Sequence, residues 1–252
     1  MNPFLGLYKK DLIITQSWVI TTSVLALLSF VIGAGLGSYL KVPFIFAITA
    51  VVILTLHIFY IPAYLISSLI TEGHTQLWLH NPNSGHKLFL SKLFASLTYF
   101  IPSILTVSII SNFAISNATH LEVFQPFEGH ILQTLFLMMG GITLGSIYLG
   151  IWIFFYWSLY QALRNVPLLK RVRWMVIFAL WLIIGTIGNF IKNSAFYQEL
   201  KEIRFVDWKF NVSESAFLEI SNLSLIPLFL HVLLSIVIFL LAVWIFERKV
   251  EV

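Results

Sequence analysis

The chain has 252 residues, 59% of them hydrophobic and only 10% charged, with a mean hydropathy of +0.91. A soluble domain carries about 25% charged residues, so this chain lacks the polar side chains to cover a globular surface and must meet lipid over most of its exterior. The net charge of +4 contains no basic run for a nucleic acid, and zero cysteines exclude disulfides, thiolate catalysis and cysteine-ligated metal.

In chain order, residues 1–14 set Phe4, Leu5, Tyr8, Leu12 and Ile13 among Lys9, Lys10 and Asp11. That spacing predicts a short N-terminal helix lying in the inner membrane interface; the competing reading is a plain extension of the first span. Uncharged runs long enough to cross a bilayer, about 20 residues each, then occur six times. They are Thr15–Tyr39, Val42–Ile70, Leu93–Asn112, Ile131–Tyr160, Trp174–Ile191 and Ser224–Phe246. Lys41-Val42-Pro43 predicts a tight outer hairpin between the first two, because proline is tolerated in a helix's first turn.

With the N-terminus inside, Lys9, Lys10, Lys87, Lys92, Arg164, Lys170, Arg171, Arg173, Arg248 and Lys249 lie on the inner side. Lys41, Lys192, Lys201, Arg204 and Lys209 lie outside. The basic excess places both termini in the cytoplasm. The expected fold is therefore an all-α multi-pass membrane protein, a single transmembrane domain over residues 1–252; a bacterial cytoplasmic membrane is not read from these counts.

Two connections are distinctive. The inner one, residues 71–92, contains Glu72, Gln76, Leu77, Trp78, Leu79 and His80 before Asn81-Pro82-Asn83-Ser84-Gly85. Residues 75–80 predict a helical turn or two, broken by the proline and turn formers that follow. A membrane-edge turn with an exposed Trp suits docking of a partner protein, and headgroup anchoring is the plainer alternative. The outer one, residues 192–223, spaces Phe196, Leu200, Ile203, Trp208, Phe217 and Ile220 among charges, as short amphipathic helices on the outer leaflet would.

Chemistry-bearing motifs are sparse. No Gly-Lys pair exists for a phosphate-binding loop, and neither H-E-x-x-H nor G-x-S-x-G occurs. The spacing of His74, His80 and His86 fits no zinc pattern, so no metal site is expected. The runs hold no Asp, Glu, Lys or Arg to couple an ion gradient, which leaves His57 and His231, read first as helix-packing hydrogen-bond donors. Gly33-Ala34-Gly35-Leu36-Gly37, and Gly140, Gly141, Gly145 and Gly150, are read as close-packing faces, the second set at a subunit seam.

The layout resembles the ABC-2-type transporter permeases. The residues that carry the resemblance are Glu72-Gly73-His74-Thr75-Gln76-Leu77-Trp78-Leu79-His80-Asn81-Pro82, followed by Leu88-Phe89-Leu90-Ser91-Lys92. Within that family the chain looks most like the permease subunits of exporters of phenol-soluble modulins, small amphipathic helical toxins.

The resemblance implies a membrane subunit without catalytic residues, paired with a second, identical or homologous permease. It implies that ATP and Mg are bound by a separate cytoplasmic ABC ATPase. Gln76, Leu77, Trp78, Leu79 and His80 would form the coupling helix in a cleft of that ATPase, with Glu72 at its start. The cargo would be an amphipathic peptide, and the chain's aromatic richness fits such a cargo. Two other classes stay open. One is an immunity or sensor protein that binds antimicrobial peptides through residues 192–223. The other is an intramembrane enzyme using His57 or His231 with a nearby serine.

Overall fold

The computed structural model describes residues 3–75, 83–118, 131–202 and 225–250. Within them the chain is helical, and no strand occurs among the described residues. The elements are α1 (Pro3–Tyr39), α2 (Phe44–Leu56), a 3-10 turn (His57–Phe59), α3 (Tyr60–Thr75), α4 (Gly85–Ser116), α5 (Ile131–Arg164), α6 (Arg173–Lys192), the short α7 (Ala195–Glu202) and α8 (Leu225–Ile245), which runs into a π turn (Phe246–Val250). Six helical stretches are long and apolar enough to cross a membrane, the second being Phe44–Gly73, where α2 and α3 form one interrupted span. Their large apolar side chains, such as Ile109, Phe136, Met175 and Phe190, face outward. That inversion suits lipid and would be intolerable in water. The chain is a multi-pass helical membrane protein.

Three boundaries differ from the sequence expectation. A separate interfacial helix is not found; α1 runs unbroken for 37 residues, as the competing reading, a plain extension of the first span, had it. No proline lies between Pro3 and Pro43 to stop it, and Gly6 alone does not. At a rise of about 1.5 Å per residue α1 reaches about 55 Å, so it exceeds a hydrocarbon core of about 30 Å. The second span is broken at the 3-10 turn. Pro62 has no amide hydrogen and its ring crowds the carbonyl of Ile58, which forces a local tightening. The third span starts at Gly85, so the residues from Gly85 to Lys92 belong to α4.

The chain divides into two compact units. The first comprises described residues from 1–83 and 87–150, the second those from 84–86 and from 151 onward outside 211–218. In the first, the interrupted second span is the hub. Ala47, Ala50, Leu54, Ile61, Tyr64, Leu65 and Leu69 are all buried. Trp18 of α1 meets Tyr60 and Tyr64 edge-on, at 5.2 and 5.8 Å between centroids. Gly145 and Gly150 of α5 admit Ile58, Ile61 and Leu65, which would stand 3.0 Å from an added Cβ.

The glycine-rich faces therefore resolve residue by residue. Gly33 and Gly37 are buried against α2, while Gly35 looks outward. Gly145 and Gly150 pack inside the chain, which corrects the reading of their set as a subunit seam; Gly140 and Gly141 alone meet open space.

In the second unit, Trp157 stacks on Phe246 at 5.9 Å and Arg173 lies over the Tyr160 ring at 4.2 Å. Glu247 accepts the Gly85 N–H at 2.8 Å, an acidic cap on the first turn of α4. Ser194 caps α7 by accepting the Tyr197 N–H at 3.3 Å. Part of the predicted outer amphipathic segment is thus a helix, carrying Phe196 and Leu200. The side chains of those two residues, together with Ile203, Trp208, Phe217 and Ile220, lie outside the described residues.

A Cβ on Gly33 would stand 2.9 Å from the Thr49 Cβ, so Gly33→Leu must push α1 off α2. It should destabilise the protein by about 1–3 kcal/mol, read as a lowered thermal midpoint in detergent. Gly35→Leu, in open space, should melt like the wild type.

Candidate functional site: a buried ion cluster where three helices meet

The first unit brings four charges together at one end, three of them buried. α1 presents Lys10 and Asp11, α3 presents Glu72, and α4 presents Lys92. Asp11, Lys92 and Glu72 are 1%, 2% and 4% exposed, and the Lys10 side chain is 35% exposed. Helical spacing explains the convergence. On α3, Tyr64, Ser68 and Glu72 recur every four residues and so share one face. Asp11 lies between Leu7 and Thr15 at the same interval, and all three are buried.

The hydrogen bonds close on themselves. The Lys92 ammonium donates to Asp11 Oδ1 at 2.8 Å and to Ser68 Oγ at 2.9 Å, and its third contact is Glu72 Oε2 at 2.8 Å. An ammonium has three donors, and here each has a partner. The second oxygen of each carboxylate is also engaged, Asp11 Oδ2 by the Ser91 hydroxyl at 2.8 Å and Glu72 Oε1 by Lys10. Two lysines balance two carboxylates, so the cluster is neutral.

Around it, Thr15 donates to the Tyr64 hydroxyl at 2.7 Å, and Tyr64 donates to the Asp11 carbonyl at 3.3 Å. Tyr99 of α4 donates to the Leu12 carbonyl at 3.1 Å. Every link crosses between two of the three helices.

Chemically this is a clamp. Both carboxylates are held by ammonium groups, which occupy the positions a metal ion would need and leave neither acid free to abstract a proton. Its depth also matters. From Asp11 to Gly37 α1 climbs about 39 Å, more than a hydrocarbon core of about 30 Å, so the charges stand at one end of a helix too long to lie wholly within it.

Of the residues singled out by sequence, Glu72 is found here, facing inward. Gln76, Leu77, Trp78, Leu79 and His80 lie outside the described residues, between the end of α3 and the start of α4. His57 is a helix tie: its Nδ1 is 2.9 Å from the Ile53 carbonyl and its Nε2 is 3.0 Å from Ser103 Oγ. His231 bonds within its own helix, Nδ1 to the Pro227 carbonyl at 2.6 Å. Sequence reasoning missed Lys10, Asp11, Ser68, Ser91 and Lys92 as one site. The available signal was an acid inside a basic stretch, four residues from a threonine on a buried helix face.

No family model matches the chain, and no solved structure does. It is similar to a Bacillus subtilis (strain 168) protein named "Uncharacterized protein YhcE", 26% identical over 258 residues that cover the whole of both chains.

Lys92→Met removes the cation shared by two buried carboxylates and should cost about 3–5 kcal/mol. The combined variant Asp11→Asn, Glu72→Gln, Lys92→Met leaves no unpaired charge at those three positions and should recover most of that loss. Thermal melting of both in detergent checks this, and a wild-type midpoint for Lys92→Met would refute the clamp.

Proposed function

We propose that this chain is the membrane-spanning permease subunit of an ATP-driven exporter, powered by a separate cytoplasmic ABC ATPase that docks on Gln76–His80. The observation that carries this reading is the position of the clamp. Glu72 lies one turn before Gln76, and Lys92 lies two turns into α4, so the connection between α3 and α4 is mounted on a base that also grips α1. A force applied at Trp78 and Leu79 would move three spans together. A connection on independent helices would dissipate it.

The distribution of charge supports the same reading. Among the described residues, the middles of the spans hold no Asp, Glu, Lys or Arg, and ion-coupled carriers place such groups at the midplane. Energy then enters from a bound motor. Six crossings return both termini to one side, and the excess of Lys and Arg puts that side in the cytoplasm. The cargo is an amphipathic peptide, for which an uncharged path rich in Phe, Tyr and Trp offers adaptable apolar contact. A second permease completes that path.

The intramembrane-enzyme reading has one observation in its favour, the 3.0 Å approach of Ser103 Oγ to His57 Nε2. The same contact ties the 3-10 turn to α4, and His57→Ala with retained export would separate the two.

The direct test purifies the chain with its ATPase and measures ATP hydrolysis stimulated by amphipathic peptide. Trp78→Ala with Leu79→Ala should reduce stimulation about tenfold or more, as loss of an interface anchor does, with the thermal midpoint unchanged. Full stimulation in that variant would refute the docking assignment, and failure of any ATPase to co-purify would favour a sensor.

A further inference from the structure

At the opposite end of the first unit lies a cavity of about 540 Å³ that the proposed transport function does not use. It is bounded by the end of α1, the start of α2 and the end of α4. Phe46, Phe113 and Gly37 supply apolar wall, and Lys41, Ser38 and Asn117 supply polar edge. Lys41 is the one cation among its described lining residues, and no carboxylate is among them.

The chain around Lys41 ends α1 with two bonds, Val42 N–H to the Gly37 carbonyl at 2.8 Å and Lys41 N–H to the Ser38 carbonyl at 3.3 Å. This is the Schellman termination, whose left-handed residue is usually glycine. Lys41 occupies that position at φ 55°. A long cationic side chain therefore stands where a residue without a Cβ would be easier on the backbone. Local folding alone does not call for a lysine there.

Depth and exposure identify the ligand. Asp11 and Gly37 are about 39 Å apart along α1, so with the ion cluster at one headgroup level the cavity lies at the other. Phe113, a wall of the cavity, is 65% exposed on the lipid-facing surface. An occupant must therefore bring an anion to Lys41 and apolar matter to Phe46 and Phe113, arriving from the bilayer.

We infer that this cavity is a binding site for an anionic phospholipid, its phosphate on Lys41 and its first methylenes against Phe46 and Phe113. The volume lies within the range of small-molecule sites, about 300–1,000 Å³, and accommodates a headgroup with the start of its chains.

The test is native mass spectrometry of the full chain, released from nanodiscs of mixed phosphatidylglycerol and phosphatidylcholine. The wild type should retain phosphatidylglycerol preferentially. Lys41→Asn removes the charge while keeping a residue that tolerates the left-handed backbone, and should lower that retention about fivefold. Lys41→Arg should preserve it. Ala34→Leu, which adds bulk to the lining, should also lower it, with thermal midpoints confirming that each variant folds.

Equal retention by wild type and Lys41→Asn would overturn the inference, as would no preference for the anionic lipid. Displacement by inorganic phosphate alone would reassign the cavity to a soluble anion. Displacement by an amphipathic peptide, without lipid selectivity, would reassign it to cargo.

Discussion

One ammonium group, that of Lys92, holds the first unit in register. It meets Asp11 from α1, Glu72 and Ser68 from α3, and no arrangement of those helices that shifts one by a turn can satisfy all three contacts. Burying such a set brings little net stability, because desolvation offsets most of the attraction. What it supplies is phase. Apolar helices in lipid have no hydrophobic drive to choose one rotation over another, and a misplaced carboxylate at 1% exposure would be far costlier than a misplaced leucine. The clamp therefore selects which faces of α1, α3 and α4 meet, and the packing of Trp18 on Tyr60 and Tyr64 follows from that choice.

A second polar solution lies deeper, where Pro62 breaks the second span. Next to it the backbone amide of Ile61 donates to Ser146 Oγ of α5 at 3.2 Å. His57 ties the same place to Ser103 of α4. Lipid offers no partner for a freed backbone group, so a helix break at this depth requires donors and acceptors on neighbouring spans. Gly145 lies one residue before Ser146, and its missing side chain lets Ile58 approach closely enough for that bond to form.

The spans themselves were legible because hydropathy over about 20 residues is a strong signal. The ion cluster was not, and the reason is physical. A span search looks for stretches without charge, so it trims Lys10, Asp11, Glu72 and Lys92 off the ends and assigns them to connections. Their pairing depends on helices continuing past the uncharged runs; the extension of α1 back to Pro3 was one of two open readings, and that of α4 to Gly85 shows only in the structure. Glu72 was singled out for its place before the QLWLH stretch, yet its carboxylate turns to Lys10 and Lys92 of its own chain. The glycines were half legible: their density marked close packing, but Gly33 and Gly35 differ only by a rotation of 200°, at about 100° per residue, which composition does not encode.

Clamp and break lie on the same span, and together they define how that span can move. Between them α3 is a stiff rod, joined at one end to α1 and α4 through Glu72 and ending at the other in the 3-10 turn of His57–Phe59. Short 3-10 stretches within long helices are places where bending is cheap. A displacement applied beyond Thr75 would then carry the clamped ends of α1, α3 and α4 as one piece. The angle between α3 and α2 would absorb the difference at the turn. The bond from Ile61 to Ser146 lies at that pivot, so α5 would register the change there first. An apolar span without the clamp would be free to slide, and one without the break would have to tilt whole; with both, bending at the 3-10 turn is the cheaper response.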